Sequence, residues 1–234
     1  MKKILIAVVI IVAVFLIYLG YKDEKIYYVS LGDSLANGIN PYNSKDYGYT
    51  DYIKDYLNSN QELEIYVDGL ISNNKRTIDI INDIKDNKKI LVNEKTKTIQ
   101  NVLIKADLIT LSIGTNDILN NLNLNMDFSI NDLYSKFEQV IIDYEELFKL
   151  LRQYSKEKIF IVGFYNFTND DYFNEFFMYA NSNLKKISSF YDINFIDIYD
   201  DFKDNSYFPN SNSKFPNKAG YKIIADKIIN NIYD

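Results

Sequence analysis

From Ile26 onward, short apolar runs rich in Ile, Val, Tyr and Phe alternate with longer stretches in which apolar residues recur every three or four positions. The nearly continuous runs predict strands at Ile26–Leu31, Leu63–Val67, Asp107–Ile113, Lys158–Phe164 and Ile193–Ile198. The periodic stretches predict helices over Tyr49–Leu57, Thr77–Lys85, Thr96–Lys105, Asn131–Tyr154, Asp171–Tyr191 and Asn217–Tyr233. Strands that are apolar on both faces and alternate with helices imply an α/β fold with a parallel sheet covered on both sides. Ligands of such sheets bind beyond the carboxyl ends of the strands, near a topological switch point, so the residues that follow each strand are where chemistry is expected.

The N-terminus has a different pattern. Lys2 and Lys3 precede an uncharged run from Ile4 to Tyr21, close to the roughly 17–25 residues that cross a bilayer as a helix. No small-x-small cleavage site closes the run, and no cysteine is present to carry a lipid. The reading is an uncleaved signal anchor over residues 1–25, a transmembrane helix whose preceding positive charges leave residues 26–234 on the extracellular side of the cell membrane; the alternative is a cleaved signal peptide and a secreted domain. Those residues contain no Ser/Gly linker and no fixed-period repeat, and they form one domain. The Asn-rich stretch from Asn120 to Asp132 reads as a surface loop.

Composition narrows the chemistry. The chain has neither cysteine nor histidine. A zinc finger, a Cys/His metal cluster, a disulfide scaffold, a thiol nucleophile and a Ser-His-Asp triad drawn from this chain alone are therefore excluded. With 26 Lys+Arg against 32 Asp+Glu, the net charge of -6 argues against nucleic acid as a partner, because phosphate contacts need a basic surface. The tyrosine excess sits in a composition also heavy in Lys, Asn, Ile and Asp, with only Arg76 and Arg152 as arginines. That skew has the look of codon bias and says little by itself about a stacking surface.

Three strand-to-helix junctions carry candidate chemistry. After the first strand, Gly32-Asp33-Ser34-Leu35 would expose a serine hydroxyl above the sheet with its own amide beside it, an arrangement that suits a nucleophile with an oxyanion donor. After the third, Gly114 permits a tight exit and Asn116 can offer a neutral N–H toward an anionic oxygen, with Asp117 next. Before the last helix, Pro216 and Asn217 set up a helix start that runs into Gly220 and Tyr221. Each junction taken singly is also an ordinary helix cap; all three in this order are far more specific.

On these three blocks, across residues 26–234, the chain resembles the SGNH, or GDSL, hydrolase family of esterases and acylhydrolases. The resemblance implies a flavodoxin-like three-layer α/β/α sandwich with a five-stranded parallel sheet, Ser34 in the nucleophile position, and no metal or other cofactor. It also implies an oxyanion hole formed by the Ser34 amide, a backbone amide from the second block and the Asn116 side chain, with Gly114 shaping the turn. The register places Asn74 where the second block has its glycine, and asparagine tolerates a positive φ.

Family members carry Asp-x-x-His just before Pro-Asn. Here that register reads Asn212, Ser213, Lys214, Phe215, so both the acid and the base of the triad are replaced. The overlapping Asp204–Tyr207 register ahead of Pro209 supplies an acid and still no imidazole. A serine hydroxyl needs a base within hydrogen-bond reach, and losing a triad base typically lowers turnover by about 10³–10⁶. Lys214 is adjacent, but a side chain one residue before the histidine position is expected to point elsewhere.

The reading is a membrane-anchored esterase-like pseudoenzyme that binds an acylated or glycan ligand, or a protein partner. Two alternatives stay open: a working serine esterase or acyltransferase with a nonstandard base, and an anchored structural domain whose cleft does nothing. Tyr42, Tyr47, Tyr49 and Tyr52, beside Ser34 in sequence, are candidate ligand contacts. Tyr172, Phe173, Phe176 and Phe177 are spaced as a buried helix face.

Overall fold

Five parallel strands form one sheet in the order β2-β1-β5-β6-β7 in a computed structural model that describes residues 25–119, 130–168, 171–210 and 213–233. The strands are β1 (Ile26–Gly32), β2 (Leu63–Ile71), β5 (Leu108–Ser112), β6 (Lys158–Val162) and β7 (Asn194–Ile196). The predicted anchor, apart from Lys25, falls on residues outside those described, as do Asn212 and most of the Asn-rich stretch. Among the described residues, no helix is long and apolar enough to cross a membrane.

Period-two alternation along the strands divides the core into two layers. Tyr27, Val29 and Leu31 of β1, with Ile109 and Leu111 of β5, face one side. There they pack on α2 (Thr77–Lys85), α3 (Ile99–Lys105), α5 (Ile130–Tyr154) and α6 (Asn174–Phe190). Tyr28, Leu108, Phe160 and Ile196 face the other side and pack on α1 (Tyr49–Ser59) and α7 (Lys218–Ile229). Every residue of β5, the central strand, is buried. The result is the three-layer sandwich with a five-stranded parallel sheet that the pattern and the resemblance lead one to expect.

The elements depart from expectation in two places. The predicted helix over Thr96–Lys105 starts three residues later, as α3, because Thr96–Thr98 belong to an antiparallel hairpin, β3 (Lys89–Val92) and β4 (Lys95–Thr98). Asn93 and Glu94 both take positive φ (47° and 64°) to make its two-residue turn, a conformation that asparagine tolerates and glutamate seldom advertises. In addition, β2 runs four residues past Val67, carried through Gly69 to Ile71 by pairing with the whole length of β1.

Strand ends fix the site. Gly32 at the end of β1 pairs level with Ser112 at the end of β5, and the Asp33 amide donates to the Ser112 carbonyl at 3.0 Å. Gly32 has a φ of +143°, and a Cβ there would overlap the Ser112 carbonyl oxygen. Gly32→Ala should therefore destabilise the fold by about 2 kcal/mol or more; a denaturant midpoint equal to that of the parent would contradict this packing.

Candidate active site

Ser34 lies in the turn directly after β1 and is only 6% exposed. Its hydroxyl donates a hydrogen bond to the backbone carbonyl of Asn73, in the turn after β2. Asn116, in the short helix α4 (Thr115–Leu119) after β5, donates from Nδ2 to the same carbonyl at 3.1 Å and to that of Lys75 at 2.9 Å. Both acceptors are carbonyls, so the orientation of the Asn116 amide is forced and its Oδ1 faces away from them. Lys214, from the loop before α7, donates from Nζ to that Oδ1 at 3.4 Å. Turns after three adjacent strands and the final loop thus converge on one point at the carboxyl edge of the sheet.

Gly114 makes the exit from β5 at a φ of +104°. A side chain there would overlap the Tyr144 hydroxyl, which donates to the Ile113 carbonyl at 2.6 Å and seals the turn from below. Asp117 accepts from the Thr77 amide and hydroxyl at 3.0–3.1 Å, tying α4 to the first turn of α2. Asn37 donates to Asn73 Oδ1 at 2.6 Å, so the turn after β2 is gripped from two sides.

Three expectations need correction. Asn74 does not aim its amide at Ser34. The Asn73–Asn74 peptide is trans and turns its carbonyl toward the hydroxyl, so the N–H on the same plane points away. Nor does Asn74 use the positive φ open to it, unlike Asn43, Asn87 and Asn93. Lys214 does not point elsewhere: its half-buried side chain turns into the site, with Nζ 5.4 Å from the centre of the Phe215 ring. Among the aromatic candidates, Tyr49 is wholly buried in the core and Tyr47 is held by Asp55 and the edge of Tyr52, which leaves Tyr42 as the exposed ring. Phe176 and Phe177 are core residues as expected, whereas Tyr172 is exposed.

Sequence reasoning did not single out Asn73 or Asn37. Asn37, three residues after Ser34 in the same turn, was the available signal. The Asn73 carbonyl had none, because main-chain direction in a turn leaves no mark on residue type.

Burial controls the charges. Removal from water pushes the Asp33 carboxyl up to about 7, offset in part by the Leu35 amide it accepts at 3.0 Å and by the Lys214 charge. Asp117 is raised to about 6, again chiefly by burial. The Lys214 ammonium is held below its usual value by burial, with the Asp33 charge opposing. Among the described residues no group of three or more acids, histidines or cysteines is arranged to hold a metal ion.

The GDSL-like lipase/acylhydrolase family matches residues 28–228, and the chain belongs to that family. Among solved structures, the chain is similar to the lipase Lip_vut3 from a goat rumen metagenome, at 19% identity and a TM-score of 0.70, over 87% of this chain and 95% of that one. It is also similar to Axe2, an acetylxylan esterase from Geobacillus stearothermophilus, at 14% identity and a TM-score of 0.65, over 88% of this chain and 93% of that one. Catalytic mutants of Axe2 replace a serine, a histidine and an aspartate. No curated protein matches the chain.

Asp33 and Asp117 bind protons more tightly folded than unfolded, so the stability they contribute is complete below the ordinary carboxyl pKa and is lost as pH rises through about 6–7. Asp33→Asn keeps an acceptor for Leu35 and removes the charge. Its melting temperature should exceed that of the parent at about pH 8 and converge with it toward about pH 4; a pH-independent difference would refute the assignment.

Proposed function

We propose that this chain is a membrane-anchored, outward-facing member of the family that keeps an esterase-type cleft, binds an acylated or glycan ligand there, and does not turn an ester over efficiently. The observation that carries the reading is the bond from the Ser34 hydroxyl to the Asn73 carbonyl. A carbonyl oxygen accepts a hydrogen bond but is far too weak a base to take the proton, so the hydroxyl stays neutral and unactivated. The same oxygen holds Asn116 Nδ2, so the group best placed to stabilise an oxyanion is already engaged. No histidine exists in the chain to replace that arrangement. The uncharged run after Lys2 and Lys3 supports the anchor and its orientation.

One observation favours a second reading, a serine esterase or acyltransferase with a nonstandard base: the inward turn of Lys214. Lysine works as a base only when burial lowers its pKa, and this one is half-buried and shifted downward.

The full chain should hydrolyse a nitrophenyl acetate no faster than its Ser34→Ala variant. Turnover that depends on both Ser34 and Lys214 and rises with pH would replace this reading with the second. Restoring the acid and base with Asn212→Asp and Phe215→His should yield Ser34-dependent hydrolysis if the rest of the site is assembled. On intact cells that express the chain, protease added outside should digest the domain; complete protection would reverse the proposed orientation.

A further inference from the structure

Lys214 is a half-buried cation whose charge meets the face of the Phe215 ring, 5.4 Å away, and no anion within ion-pair distance among the described residues. Among the described residues its one hydrogen bond is the 3.4 Å contact to Asn116 Oδ1, at the long end of the normal range. Among the described residues no carboxylate lies within the 4.0 Å of an ion pair. Asp33 acts on it only from farther away, and that carboxyl is itself buried and occupied by the Leu35 amide. Other partly buried cations of the fold differ: Lys75 rests on Asp83 at 2.7 Å and on the Leu70 carbonyl at 3.0 Å, and Arg152 spreads over several carbonyls. A charge taken from water without a partner is costly, and an anion brought to it would relieve that cost.

The donors around it are arranged for an oxygen. The Ser34 hydroxyl and Asn116 Nδ2 meet on a single trigonal oxygen, the carbonyl of Asn73. The Ser34 backbone N–H is bonded to none of the described acceptors. The seat is therefore formed and filled by the chain's own carbonyl, held in an exposed turn. A carboxylate oxygen has the same trigonal geometry as that occupant, accepts the same two bonds, and adds a negative charge for the ammonium nearby.

We infer that the cleft around Ser34 is a carboxylate-binding site in which an acid displaces the Asn73 carbonyl, takes the Ser34 and Asn116 donors, and pairs with Lys214. The inference rests on the reading of the cleft as a binding site, and it names the ligand class: the free acid, in place of the neutral ester that an active family member would take. Lys214 turns its ammonium into the cleft beside Asn116 and the uncharged Phe215 ring. A single ammonium, in a chain of net charge -6, matches a monoanion better than a dianion.

The test is a thermal-shift and calorimetric titration of the full chain in detergent with sodium acetate, octanoate and glucuronate, and with the methyl ester of each. The acids should bind and raise the melting temperature, the methyl esters should not, and binding should weaken as salt is added. Lys214→Met should weaken binding about tenfold or more, and Lys214→Arg should retain most of it. Whichever acid binds tightest assigns the source of the carboxylate, an acyl chain or an acidic sugar. Should Lys214→Met fail to fold, the comparison of acid with ester and the salt dependence still decide the matter in the unmodified chain. Equal binding of acid and ester, binding indifferent to Lys214→Met, or inorganic phosphate bound more tightly than every carboxylate would overturn the inference. These outcomes are separable from failure of the functional reading, which shows itself as Ser34-dependent release of acid from a methyl ester.

Discussion

The close approach of two parallel strands at their carboxyl ends governs this molecule. β1 and β5 end level, with Gly32 against Ser112 and no room for a side chain between them. The Asp33 amide then crosses to the Ser112 carbonyl, so the turn that carries Ser34 leaves the sheet beside the turn that carries Gly114 and Asn116. A backbone constraint, and not any property of the serine, thus brings the donors together. It also explains why Asp33 is buried: the residue that follows the last pairing of β1 has nowhere to go but between the two turns, and its carboxyl titrates near neutrality as a result.

Fold and chemistry separate at the final loop. Its position is secured largely by main-chain and neighbouring groups: the Lys214 carbonyl accepts from Tyr165 at 2.5 Å, the Phe215 amide donates to Ser213, and Asn217 caps α7 through the Gly220 amide. None of these bonds uses the Phe215 side chain. A phenyl ring in place of an imidazole therefore leaves the loop where it is while removing the proton acceptor. Once that acceptor is gone, the serine hydroxyl must find another partner or remain buried with none, and the nearest oxygen that meets the need belongs to Asn73. The serine hydroxyl bonded to a carbonyl and that carbonyl's seat beside Asn116 Nδ2 are two consequences of one loss.

Much of this was legible in the residues. The strand and helix order follows from the change between period two and period 3.6, and the three glycine- and asparagine-containing junctions locate the site because a parallel sheet presents its carboxyl edge to ligands. The hairpin was not legible, since Asn93-Glu94 lacks the glycine that usually announces such a turn. Lys214 was misread for a physical reason: alternation of side chains holds in extended strands, whereas an irregular loop can turn neighbouring side chains, here those of Lys214 and Phe215, to the same side. The direction of the Asn73–Asn74 peptide was out of reach altogether. Either orientation suits asparagine, and the choice is made by donors on β1 and β5 turns more than thirty residues away in sequence.

The presence of Ser34, Gly114 and Asn116 is consequently weak testimony to turnover. Asn116 ties the turn after β2 to the turn after β5 through two backbone carbonyls and receives Lys214 on its third polar contact. Gly114 is demanded by the Tyr144 hydroxyl beneath it. Ser34 ties its own turn to the turn after β2 through the Asn73 carbonyl. Each residue of the motif has a structural duty in this chain that would hold it in place with no reaction to catalyse. The general base has no such duty, because a base in a triad is engaged by its proton transfers and by an orienting acid, here replaced by Asn212. A fold of this kind can therefore shed its base without disturbing its oxyanion donors. What remains is a set of N–H and O–H groups beside a cation, held where the turns after three adjacent strands meet the final loop.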